Sequence, residues 1–88
     1  MPPHKAEQMP KRILIVDDLA QIRKLVREFL EAEPDCHVCG EATDGYDAIE
    51  KAQHLKPDLI ILDVSMPRMS GIEAAPKLKK LLPQTPII

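Results

Sequence analysis

Aromatic side chains are almost missing from this chain: among 88 residues only Phe29 and Tyr46 carry one, and there is no tryptophan. Single-stranded bases need such rings to stack on, which argues against direct nucleic-acid binding by this segment. A surplus of positive charge is missing too. The net charge is −2, and no basic cluster marks a membrane surface. No apolar run approaches the ~20 residues of a membrane span, and the N-terminus has no signal-peptide core. The expectation is a soluble, cytoplasmic protein with no membrane or direct nucleic-acid partner. Its core must be built from Leu, Ile, Val and Ala.

Cysteine is scarce, with Cys36 and Cys39 alone, and His37 between them. The C-x-x-C spacing could mean a redox motif or half of a zinc site. The segment Cys36 to Glu41 reads as a strand, however, where three residues span ~10 Å and leave the two thiols on opposite faces. No second ligand pair follows. Two reduced packing cysteines are expected, in keeping with a reducing compartment. His4, His37 and His54 have no placed partners and read as surface residues. A G-x-x-x-x-G-K-[ST] loop is absent as well, which excludes a P-loop NTPase.

What the chain does have is a strict alternation of strands and helices. Residues 1–11, with Pro2, Pro3 and Pro10, read as a flexible leader, and 12–88 as one domain. Ile13-Leu14-Ile15-Val16 and Leu59-Ile60-Ile61-Leu62 are unbroken apolar runs, the pattern of parallel strands covered on both faces. Between them, Ile22, Leu25, Val26, Phe29 and Leu30 recur at helical spacing, while Arg23, Lys24, Arg27, Glu28 and Glu31 form the opposite, polar face. That helix is expected from about Ala20 to Ala32, stopped by Pro34. A shorter edge strand, Cys36 to Ala42, precedes a turn and cap at Thr43-Asp44-Gly45 and a second helix closed by Pro57. Val64 to Gly71 forms a loop, and Ile72, Ala75, Leu78, Leu81 and Leu82 mark a third helix. Pro76 lies inside it, so either the helix kinks there or its regular part starts late. Ile87-Ile88 looks like the start of a fourth strand.

The order β-α-β-α-β-α-β favours a parallel sheet with right-handed crossovers, doubly wound if the helices after the first and third strands leave to opposite faces. In such sheets ligands bind at the C-terminal ends of strands, where the chain switches direction. The first strand runs into Asp17 and Asp18 and the third into Asp63. Three carboxylates on one rim repel each other unless a hard cation joins them, and Mg²⁺ takes oxygen ligands of this kind. A carboxylate beside Mg²⁺ can also attack phosphorus to give an acyl phosphate, and Asp63 is the better placed, with a loop after it to supply backbone groups. The plainer alternative is that Asp17 and Asp18 cap the first helix and Asp63 begins a turn.

At these residues the sequence resembles the receiver domain of bacterial two-component response regulators. The matches are Asp17-Asp18, Asp63, Met66-Pro67 and Gly71, extended by Glu33-Pro34-Asp35, Gly40-Glu41-Ala42, Asp44-Gly45, Ala48 and Pro57-Asp58. From Glu31 to Gly71 the phrasing is most similar to receivers joined to a LuxR-type helix-turn-helix domain. The resemblance implies a flavodoxin-like fold, here incomplete, with strand order 2-1-3-4. It implies that Asp63 is phosphorylated by a sensor histidine kinase, and that the domain is a phosphoacceptor rather than an enzyme. Asp18, Asp63 and the backbone carbonyl of Ser65 would bind Mg²⁺, with Asp17 one water away. Family receivers also carry a Ser or Thr after the fourth strand and a Lys after the fifth, beyond Ile88, so weak or absent phosphotransfer by these 88 residues is expected. So is partial uncovering of Ile22, Leu25, Val26 and Phe29, with self-association as a homodimer or domain-swapped dimer, or low stability. The alternative function is a receiver-like scaffold for dimerisation or partner binding without the chemistry.

Overall fold

A strand buried on both faces has no need of alternation, and β1 (Lys11–Val16) shows this. Ile13, Leu14, Ile15 and Val16 are each no more than 1% exposed. The computed structural model describes residues 9–88. After β1 come α1 (Ala20–Glu31), β2 (Cys36–Ala42), α2 (Gly45–Leu55), β3 (Leu59–Leu62) and α3 (Gly71–Leu81). β1 starts inside the stretch expected to be leader, because the Lys11 amide donates to the Asp35 carbonyl and Lys11 pairs with Cys36. The rest of that leader, up to residue 8, lies outside the described residues.

The sheet is parallel, in the order β2-β1-β3. The fourth position is taken by Ile87, which bridges to Ile60, with the Leu62 amide donating to the Ile88 carbonyl. The expected order 2-1-3-4 and the doubly wound, flavodoxin-like class therefore hold. Ile13 and Ile15 join Val38 on one face, beneath Val26 and Leu30 of α1. Leu14, Val16 and Ile60 join Ala48 and Ala52 of α2 and Ala74 and Leu78 of α3 on the other. The helices thus leave β1 and β3 toward opposite faces, which opens a crevice at the ends of those two strands. No helix among the described residues is long and apolar enough to cross a membrane.

The two faces are unequally covered. The α2/α3 side encloses a continuous core, whereas α1, despite its apolar stripe, has no fully buried residue. Leu25 is 62% exposed and Phe29 76%. β2 carries a register shift: Ile13 pairs with Val38 but Leu14 with Gly40, leaving Cys39 as an extra residue. Both thiols are free. Cys36 packs against the α1-side cluster, and burial pushes the Cys39 thiol up from its usual range, opposed by the neighbouring Arg12. The disulfide reading fails on these free thiols.

The helix ends are satisfied by specific side chains. The Asp44 carboxylate, buried at 2% exposure, accepts the Asp47 amide at 2.8 Å and caps α2. Lys56 ends α2 in the left-handed region (φ 47°), and Arg12 donates to the Leu55 and Lys56 carbonyls. α3 opens with a capping box between Ser70 and Glu73. It runs regularly from Gly71 through Pro76, so a late start is ruled out. Pro76 and Ile72 are both exposed, so water can serve the carbonyl that proline leaves without a donor.

Two measurements follow from this packing. Ile60→Ala, at a site with 0% exposure, should cost about 2–5 kcal/mol in urea unfolding, and Phe29→Ala within about 0.5 kcal/mol; equal losses would contradict the unequal cover. Asp44 is held below the ordinary carboxylate range, chiefly by the Asp47 amide and then by Arg68. A depressed folded-state pKa gives stability that is present above the unfolded value of about 3.9 and disappears as pH falls through the lower folded value. The gap in urea midpoint between the wild type and Asp44→Asn should therefore be full at pH 6 and shrink steadily below pH 4. A gap independent of pH would show that the charge is irrelevant.

Candidate metal and phosphoacceptor site

β1 and β3 pair residue for residue, ending at Val16 opposite Leu62. The next residue on each strand is an aspartate, so Asp17 and Asp63 emerge side by side at the crevice. The Asp63 amide donates to the Val16 carbonyl at 2.9 Å, and the Asp17 amide to the Ala42 carbonyl at 3.0 Å, which carries the ladder to the rim. Asp17, Asp18 and Asp63 each offer one carboxylate oxygen, all within 4.8 Å of one another. Asp17 and Asp63 are half-buried and Asp18 is exposed. Unit charges ~4 Å apart repel by about 1 kcal/mol in water and about 4 kcal/mol near a protein surface. A divalent cation with oxygen ligands converts that repulsion into attraction, and the donor set, all carboxylate and free of nitrogen or sulfur, suits a hard ion.

Helix capping does not account for the cluster. Asp17 Oδ1 accepts the Leu19 amide at 2.9 Å, a turn that ends before α1 begins, and the α1 N-cap has no side-chain hydrogen bond. The side chains of Asp18 and Asp63 accept no hydrogen bond among the described residues. They are left to the rim.

The Asp17 end is braced from behind. Arg23 Nη1 donates to the Asp17 carbonyl at 2.9 Å while its Nε reaches Glu41 at 2.8 Å. Arg27 donates to the other Glu41 oxygen at 2.6 Å. These guanidiniums, Arg27 first, hold the Glu41 carboxyl below its usual range. Their positions alone put Arg23 and Arg27 on the polar face of α1. In the structure both turn toward β2, because the extra residue at Cys39 places Glu41 on the α1 side of the sheet.

The Asp63 end is shaped by the loop that follows. Ser65 is exposed two residues on, while Met66 and Met69 are buried. Gly71 is required by close approach: a Cβ there would run into the Asp63 carbonyl. The Gly45 amide donates to the Met69 carbonyl at 2.9 Å, which pins the loop to the start of α2. Arg68, with φ 66°, adds a second pin through an ion pair with Asp44. Sequence reasoning identified Asp44 as a cap and passed over Arg68; an arginine in a glycine-like loop position carries no pattern that would flag it.

Comparison with known proteins bears on the family and the fold. Residues 13–88 match the model of the response regulator receiver domain. The protein-glutamate methylesterase/protein-glutamine glutaminase of Pyrococcus abyssi is 46% identical over 77 residues, which cover 88% of this chain and 21% of that protein. The response regulator domain of Thermotoga maritima CheB superposes with a TM-score of 0.81 at 42% identity, over 89% of this chain and 57% of that one. The CheX–CheY–BeF3–Mg complex of Borrelia burgdorferi gives 0.88 at 25% identity, over 94% and 63%. LuxR-family regulators stand among the solved relatives as well. The chain spans about a fifth of the length of the methylesterase. Matched by that model from the middle of β1 to its last residue, the chain belongs to the response regulator receiver domain family.

Proposed function

We propose that the acidic rim is a Mg²⁺-dependent phosphoacceptor site, with Asp63 as the acceptor. Asp18, Asp63 and the Ser65 carbonyl hold the ion, and Asp17 reaches it through water. The observation that carries this reading is the convergence of the carboxylates of Asp17, Asp18 and Asp63 at the end of two adjacent strands. The solved relative containing BeF3 and Mg supports the choice of ion.

The ion, when bound, offsets negative charge on the phosphoryl oxygens as the carboxylate approaches. The protein's part is positional. One Asp63 oxygen attacks phosphorus in line with the leaving group; the new O–P bond forms as the bond to the donor breaks, and the donor leaves with that electron pair. With a phosphohistidine donor the leaving group is the imidazole of a sensor histidine kinase; with acetyl phosphate it is acetate. Asp63 ends as an acyl phosphate, and a cytoplasmic setting follows from that partner. The receiver serves several outputs among its relatives, a methylesterase and LuxR-family regulators included. DNA binding would belong to such an output domain. A homodimer or swapped dimer is the second partner, formed over the exposed apolar side of α1.

Incubation with acetyl phosphate or phosphoramidate and Mg²⁺, followed by intact mass, should show a partial gain of one phosphate. Asp63→Asn or chelation of the metal should abolish it. Asp17→Asn should weaken Mg²⁺ binding roughly 10–100-fold, as loss of an outer-sphere partner does. A folded wild type that neither binds Mg²⁺ nor gains mass would point to the scaffold function instead.

A further inference from the structure

We infer that Arg68 is a positioning residue for the acidic rim: by gripping Asp44 it holds the β3–α3 loop in the shape that ion binding requires. The inference rests on the metal reading above and extends it to residues outside the carboxylate cluster.

Arg68 occupies the left-handed region at φ 66°, a conformation in which a side chain with a Cβ is disfavoured. Something must hold it there. Its guanidinium donates through Nε and Nη2 to Oδ2 of Asp44. Among the described residues, residues 64–69 make no other side-chain hydrogen bond than these two. Asp44 divides its work: Oδ1 takes the Asp47 amide and Oδ2 takes Arg68. Its carboxylate is buried and fixed by the cap, so the pair does not have to order two floppy side chains, the usual reason that surface ion pairs contribute little.

The grip acts on the part of the loop that matters. Gly45 holds the Met69 carbonyl, and the Gly71 amide donates to the Val64 carbonyl at 3.1 Å. Between those pins run Ser65, Met66 and Pro67, and Val64 and Ser65 face solvent. A loop released at Arg68 samples other shapes, and apparent affinity falls in proportion to the fraction of time the competent shape is present.

The test uses the 88-residue chain with Arg68→Gln, Arg68→Lys, Asp44→Asn and the double variant Asp44→Asn/Arg68→Gln. Asparagine keeps the cap oxygen while removing the charge. Mg²⁺ affinity is measured by calorimetry at constant ionic strength, and amide exchange of residues 64–67 is measured without metal. Arg68→Gln and Asp44→Asn should each weaken Mg²⁺ about five- to tenfold, as expected if the loop is competent for a tenth to a fifth of the time. The double variant should be no worse than either single one, Arg68→Lys should recover part of the affinity, and exchange should quicken in the metal-free singles. Unchanged affinity and exchange in Arg68→Gln overturns the inference. So does an additive double variant, or a loss of phosphate gain in Arg68→Gln with none in Asp44→Asn, which would make Arg68 a phosphate contact. A wild type that binds no Mg²⁺ removes the metal reading itself, and the exchange data then show separately whether the grip exists.

Discussion

Hydrogen bonds between β1 and β3 run without a break from Ile13 and Leu59 to Val16 and Leu62, and the residue after each strand is an aspartate. That pairing governs the molecule. A slip of one residue would turn Ile60 from the α2/α3 core to the α1 face and separate the two aspartates by a further ~3.3 Å along the sheet. The burial of Leu14, Val16 and Ile60 against Ala48, Ala52, Ala74 and Leu78 forbids the slip. The hydrophobic core and the acidic rim therefore express one register, and the repulsion among the carboxylates is supported by burial several residues away.

Much of this was legible from residue order. Two four-residue apolar runs ending in aspartate announce buried parallel strands and a rim, and alternation with amphipathic helices leaves few topologies. β2 was recovered from Cys36 to Ala42, and α1 differed by one residue from its expected end. The convergence of Asp17, Asp18 and Asp63 was foreseeable because strand neighbours and their ends were. Such inferences are local or topological, and they succeed where one period or one stop signal decides.

What escaped depends on a single residue inserted or a single angle. The extra residue at Cys39 changes which face Glu41 occupies, and with it the role of Arg23 and Arg27; helical periodicity on α1 could only mark those arginines as polar. Arg68 adopts a backbone conformation usually given to glycine, so its position suggested an unremarkable loop rather than a tether. Pro76 misled in the opposite direction. Proline inside a helix suggested a kink or a late start, but the Ser70–Glu73 capping box secures the first turn of α3 ahead of it and the helix begins at Gly71.

The irregular pairing of β2 has a consequence for how the molecule keeps company. β2 is the outer strand of the sheet; among the described residues no strand pairs with its outer side, where the Glu41 carbonyl accepts from Lys51. A regular strand is a template, since an incoming segment can add itself rung by rung and recruit another in turn. The surplus residue puts those rungs out of phase halfway along, so a straight newcomer that matches one half misses the other. The same irregularity that aims Glu41 at its arginines thereby discourages fibrous growth from this side of the sheet.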